Sequence, residues 1–195
     1  SICISNTRLE AEDLTEMLGL LLLYLQIYSL KGDIIMNITF APKGILQIDE
    51  AHIIYRNFSG VGSQYNREGD RNFSVLFDDQ EVADALINEG WNVKIKQNRD
   101  PDDIPFMHLP VKIKFNGRGP HVYLQSGKRP PQKLTEDTIY VLDDCDILRV
   151  DLDIRPYDWE VNGKTGRTAY LQSICVTQEV DRFAERFASE EYPEE

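Results

Sequence analysis

The chain has 195 residues, 33 Asp+Glu against 21 Lys+Arg, a formal net charge of −12 and 42% hydrophobic residues. That length and apolar fraction suit one packed domain with at most an appendage, and the acidity argues against a protein that holds polyanions through overall charge. Cys3, Cys145 and Cys175 are far apart with no Cys-x-x-Cys pair, and His52, His108 and His121 lack ligand spacing. No disulfide framework, zinc site or other cofactor is expected, and a reducing compartment is implied.

Residues 1–35 differ from the rest. Leu14 to Leu30, which contains Leu20 to Leu25, is apolar on every side of a helix, but the run is broken by Gln26 and Ser29 and is shorter than the roughly 20 apolar residues of a membrane span. Glu10, Glu12, Asp13 and Glu16 stand where a signal peptide carries positive charge. Lys31-Gly32-Asp33 can be encoded by AAA-GGA-GAT, a ribosome-binding sequence just ahead of an ATG at Met36. Residues 1–35 are therefore expected to be translated upstream sequence outside the native domain; a helix packed on the domain or a partner is the alternative.

From Met36 the pattern is mainly β. Ile45 to Asp49 alternates, and Ala51 to Phe58 leads into a hairpin that returns through Phe73 to Phe77. Asp78-Asp79-Gln80 caps a short helix with Val82, Ala83, Leu86 and Ile87 on its apolar face and Gly90 at its end. Val93 to Lys96 and Val111 to Phe115 alternate lysine with aliphatic side chains. His121 to Gln125 follows, then the basic connector Gly127 to Pro131 and a helical turn within Glu136 to Leu142. Ile147 to Ile154 alternates strictly, with Asp151 and Asp153 outward. A last hairpin turns within Asn162 to Gly166 and returns to Thr177. Val180 to Ser189 reads as a helix and Glu190 to Glu195 as a frayed acidic tail.

The densest chemistry lies in Tyr55 to Phe73, where Arg-Asn-Phe occurs twice around a loop with three glycines, Tyr65 and Arg67. Guanidinium for phosphate, flat rings for bases and glycine for close approach are what a single-stranded nucleic acid needs. Charge is distributed accordingly: residues 51–133 hold 12 basic against 10 acidic residues, residues 134–180 hold 4 against 10, and the last 15 hold 2 against 6. A near-neutral to basic centre with an acidic end fits an anionic ligand and a tail that competes for the same groove, or else a tail of ordinary solvated charge.

These elements predict a small OB-like Greek-key barrel with one or two short helices and a C-terminal helix. Its ligand would cross one face between two long hairpin loops, residues 58–71 and 160–167. The boundaries read as 1–35, a binding domain at 36–180, and a helix with acidic tail at 181–195. Candidate nucleic-acid contacts are Arg56, Phe58, Tyr65, Arg67, Arg71, Lys94, Lys96, Lys112, Lys114, Lys164 and Arg167. The four strand lysines sit at period two and could form a phosphate track, or could be ordinary solvated charge. Tyr55, Phe73, Trp91, Tyr123, Tyr157, Trp159 and Tyr170 are further stacking candidates, although strand aromatics are more often core.

Ile38-Thr39-Phe40-Ala41-Pro42-Lys43-Gly44, Tyr65 to Phe73, Gly90-Trp91-Asn92-Val93-Lys94, Arg155 to Lys164 and Ala169-Tyr170-Leu171 resemble a family of phage and prophage single-stranded DNA-binding proteins. The resemblance covers Met36 to about Ala188. It implies a non-sequence-specific replication or recombination accessory protein with an OB-like barrel, whose partners are single-stranded DNA and, through the acidic tail, phage or host replication and recombination proteins. Two rivals remain. Asp143, Asp144, Asp146, Asp151, Asp153, Asp158 and Glu160 could build a two-metal nuclease site, but they follow no nuclease pattern, so no enzyme is expected. A protein-binding inhibitor that mimics DNA through its acidity is the other. Asp102-Asp103-Ile104-Pro105-Phe106 matches an acidic-hydrophobic protein-binding tip but is internal, and reads as a loop.

Overall fold

The computed structural model describes residues 36–97 and 105–180. The N-terminal segment, most of the Asp102 to Phe106 stretch, and the expected C-terminal helix and acidic tail lie outside the described residues. Within them the protein is mainly β, with one α-helix. The strands are β1 (Asn37–Ala41), β2 (Ile45–Asp49), β3 (His52–Asn57), β4 (Arg71–Phe77), β5 (Lys94–Lys96), β6 (Phe106–Ile113), β7 (His121–Ser126), β8 (Gln132–Leu134), β9 (Ile147–Val161) and β10 (Lys164–Gln178). Helix α1 (Gln80–Asn88) starts where the Asp79 carboxylate accepts the Glu81 amide, and buries Ala83 and Leu86. A 3₁₀ turn spans Ile139–Leu142.

All ten described strands share one sheet, ordered β1-β2-β9-β10-β6-β4-β3, with β5 on β6, β7 on β10 and β8 on β7. β10 is the hub: antiparallel to β9, and parallel to β6 at Ala169–Tyr170 and to β7 along Ser173–Gln178. Residues 45–57 join two neighbours. Their first half pairs with β9 (Leu46 opposite Ile154) and their second with β4 (Ile53 opposite Val75), while the Ala51 amide between them donates to the Val150 carbonyl at 2.8 Å.

Period-two alternation explains the core. Met107, Leu109, Val111 and Ile113 of β6 are buried in succession, as are Val150, Leu152 and Ile154 of β9, and their neighbours face outward. Phe58 and Phe73 stack at 5.4 Å between ring centres, both buried.

The structure departs from the sequence reading in four places, the first being β1, which was not expected. β6 begins at Phe106, five residues before the expected strand, and β8 was not expected. Residues 160–167 are no loop: β9 and β10 stay paired up to Val161 opposite Lys164. The turn is only Asn162-Gly163, both with positive φ (52° and 73°), the backbone that an Asn-Gly hairpin turn favours. Gly166 permits this ribbon, because a Cβ there would lie 2.5 Å from Cζ2 of Trp159, whose indole crosses it.

Since Phe58 is wholly buried against Phe73, Phe58→Ala should cost about 3–5 kcal/mol of stability. Urea denaturation of the variant beside the parent chain checks this.

Candidate nucleic-acid interface

The hairpin of β3 and β4 carries a bulge. Ile54 faces Ser74 and Asn57 faces Asn72, so Tyr55 and Arg56 share the space of one partner. Tyr55 takes φ 52°, a left-handed conformation costly for an aromatic residue, on the order of 1–3 kcal/mol. As a result Tyr55 lies against Phe106 (6.1 Å between ring centres) and His108 (5.7 Å), both edge-on and on the outer side of β6. Arg56 turns instead to the 3₁₀ turn, where Nη1 donates to the carbonyls of Leu142 (3.0 Å) and Cys145 (2.8 Å).

The doubled Arg-Asn-Phe has a structural explanation. Each arginine ties the hairpin to residues 136–145: Arg56 through those carbonyls, Arg71 through an ion pair with Glu136 at 2.8 Å. Each asparagine pins the loop, Asn57 Nδ2 donating to the carbonyls of Val61 and Asp70, and Asn72 Nδ2 to Asn66 Oδ1. Each phenylalanine enters the core. Asp143 completes the clamp by accepting the amides of Phe58 (2.6 Å) and Ser59 (2.8 Å). The loop beyond is braced by Gly69 N to Gly60 O and Ser63 N to Asn66 O, each 2.8 Å, and by the Gly62 amide on Glu68. Tyr65 at its tip is 86% exposed, and Arg67 beside it is exposed too.

Strand register assembles the outer face. Lys94 lies opposite His108 and Lys96 opposite Phe106, so both lysines share the face of those rings, and Lys112 continues it along β6. On β10, Tyr170 sits beside Lys112. Its ring packs edge-on to Tyr157 at 5.9 Å and beneath the Arg155 guanidinium at 5.2 Å. Tyr55 and Tyr157 are 65% and 54% exposed. The face thus alternates rings and cations from Tyr55 across β6 to Tyr157. The 58–70 loop stands at the Ile113 end of β6, since Arg71 pairs with Ile113. The β9–β10 turn stands beyond the Phe106 end, since Ala169 pairs with Val111 in parallel.

Of the expected contacts, Lys94, Lys96 and Lys112 are brought together here, with Tyr65 and Arg67 at one end. Others are placed elsewhere. Phe58 is core, and Arg56 is committed to two carbonyls. Arg71 is spent on Glu136 and lies over the Phe115 ring at 5.7 Å. Lys114 pairs with Asp70 at 2.9 Å, a hydrogen bond that holds the Asp70 carboxyl below its ordinary value. Arg167 braces the ribbon: Nε and Nη2 grip Asp158 at 2.6 and 3.0 Å, Nη1 donates to the Glu89 carbonyl at 2.6 Å, and the guanidinium covers Trp91. Lys164 is exposed at the ribbon tip, away from the rings. Phe106, His108 and Arg155 were missed as site residues. The signal for the first two was present, because the alternation Phe106-Met107-His108-Leu109 runs directly into Val111-Lys112-Ile113.

Four of the seven carboxylates that could have formed a nuclease site are engaged. Asp151 accepts Arg149 and the Glu50 amide, Asp153 accepts Gln47 and the Ser173 hydroxyl, Asp158 accepts Arg167, and Asp143 holds the loop base. Among the described residues no group of three or more His, Cys, Asp or Glu side chains could hold a metal ion. None of the described helices is long and apolar enough to cross a membrane.

Comparison with protein families matches residues 36–195 to the phage ssDNA-binding domain family. The chain belongs to that family. Comparison with curated proteins finds no match. Among solved structures the chain is similar to the single-stranded DNA-binding protein of bacteriophage Enc34. In its C-terminally truncated form the identity is 14%, the TM-score 0.49, and the alignment covers 75% of this chain and 92% of that one. The same protein in complex with ssDNA gives 14%, 0.49, 76% and 94%, and a third structure gives 14%, 0.48, 76% and 89%.

Burial, followed by the charge of Lys94, pushes the His108 imidazole below its ordinary value of 6.5. The fold therefore favours neutral His108, and the unfolded chain takes up the proton first as pH falls. The stability this contributes should be complete above pH 6.5 and decline as pH drops from there through the lower folded value. Denaturant midpoints against pH should show that decline in the parent and a flatter profile in His108→Gln.

Proposed function

We propose that the protein binds single-stranded DNA without sequence preference across the outer face of β3, β4, β6 and β5, as a phage or prophage factor of replication or recombination. The carrying observation is the placing of Tyr55, Phe106 and His108 beside Lys94, Lys96 and Lys112 on one face, in a chain of this family. Rings give a sequence-tolerant stack, since every base has a π-face, and lysines take the phosphates between. The protein acts by holding the strand and not by cutting it, a reading supported by the structural duties of Asp143, Asp151, Asp153 and Asp158.

An OB-like Greek-key barrel is the fold that suits this role. It is supported by the circuit of pairings: residues 45–57 bridge β9 and β4, and β4, β6, β10 and β9 follow in order, with β6 and β10 parallel. The 58–70 loop then flanks one side of the binding face and the β9–β10 ribbon the other. Residues 36–180 form the binding domain in this reading, supported by a family match that begins at residue 36, with residues 1–35 an upstream segment. Acidic residues 181–195 compete with DNA for the cationic face and reach protein partners once it is displaced. Such a protein works in the cytoplasm of the bacterial host.

Fluorescence anisotropy of labelled oligo-dT against salt tests the reading. Affinity should fall with salt by a log–log slope of about −0.7 per phosphate contact. Tyr55→Ala, Phe106→Ala and Tyr65→Ala should each weaken binding by about 1–3 kcal/mol where the ring carries a base. No binding at low salt, or aromatic variants equal to the parent, would refute it.

A further inference from the structure

Past Ile113 the chain enters a region that the outer face does not use. Residues 113–135 contain five Lys and Arg and no Asp or Glu, in a chain of net charge −12. They form the end of β6, a tight turn and the β7–β8 hairpin. The turn folds back on Phe115: a Cβ at Gly119 would lie 3.1 Å from Phe115 Cδ1, and Gly117 takes φ 68°. Between this turn and β8 opens a groove of about 630 Å³, lined by Phe115, Arg118, His121, Lys133, Thr135 and Glu136 among others.

The charge of this groove is available to a ligand. Its acid, Glu136, is already neutralised by Arg71 at 2.8 Å. Arg118, His121 and Lys133 are exposed, and among the described residues no hydrogen bond or ion pair engages their side chains. The groove also adjoins the loop of the outer face through Arg71. That side chain lies over Phe115 and is pressed by the loop's own backbone, a Cβ at Gly60 falling 3.1 Å from Arg71 Cγ. Lys112 on β6 leads from the outer face toward it.

We infer that this groove is a second subsite for the sugar-phosphate backbone of the same single strand, taking the nucleotides that run past the Tyr65 loop. The inference rests on the proposed binding of single-stranded DNA. Phe115 has the Arg71 guanidinium over its ring, so the groove offers positive charge more than a stacking surface, and it is indifferent to sequence. A strand must exceed the outer face in length before it reaches Arg118 and Lys133.

The test uses the full chain, the double variant Arg118→Ser/Lys133→Ser and the charge-keeping Arg118→Lys/Lys133→Arg. Each is titrated with oligo-dT of about 6 and about 30 nucleotides, near the low end of and well above the roughly 4–16 that one OB unit spans. On the long oligomer the serine variant should bind roughly tenfold more weakly at low salt, with a salt slope shallower by about 1.4, two contacts at about 0.7 each. On the short oligomer it should match the parent, the charge-keeping variant should match it on both, and thermal melts should be unchanged. Equal affinity on the long oligomer, or equal losses on both, would overturn the second subsite while leaving the outer face standing. A parent chain that binds neither oligomer would overturn the underlying reading itself.

Discussion

The left-handed backbone of Tyr55, at φ 52°, is the constraint on which the binding face depends. In a regular strand Tyr55 would point to the side opposite Ile54, and no ring would lie over Phe106 and His108. The bulge moves Tyr55 outward and sends Arg56 the other way. A cost on the order of 1–3 kcal/mol for that conformation has to be offset nearby. The two carbonyl bonds of Arg56 are charge-assisted, and such bonds contribute about 1.5–3 kcal/mol each. Strain and compensation sit in adjacent residues, so the ring is held in place before any ligand arrives.

The same economy extends through the hairpin. A loop of 13 residues between β3 and β4 would ordinarily be mobile. Here both sides of its base are tied to residues 136–145, through Arg56 and Asp143 on one strand and Arg71 on the other. The two asparagines hold the backbone inside the loop. Only the tip, with Tyr65 and Arg67, projects. A rigid base with an exposed aromatic tip limits the conformational entropy lost when a flexible strand is captured.

Much of this architecture was legible in the sequence. Alternation marked β2, β3, β9 and the lysine strands, Asp79 and Gly90 bounded α1, and Tyr65 stood out as a ring without apolar company. The misplaced side chains share one cause. Arg56, Phe58, Arg71 and Arg167 have the composition of a nucleic-acid site, but their partners are remote: Arg56 meets carbonyls 86 and 89 positions away, and Arg167 one 78 away. Local pattern reports which residue types are present and not which way a bulge turns them. The β9–β10 ribbon was read as a loop because glycine and charge dominate its tip, although Gly166 is there to admit the Trp159 indole.

The central claim is that one outer face, fixed by the Tyr55 bulge, meets the strand. Backbone amide shift mapping by NMR with an oligo-dT tests it most directly. Perturbations should cluster at Tyr55, Ser63–Arg67, Lys94–Lys96, Phe106–Lys112 and Tyr170. Perturbations confined to the far side, around Tyr140 and Leu148, both exposed, with the Tyr55–Lys112 face silent, would contradict the account.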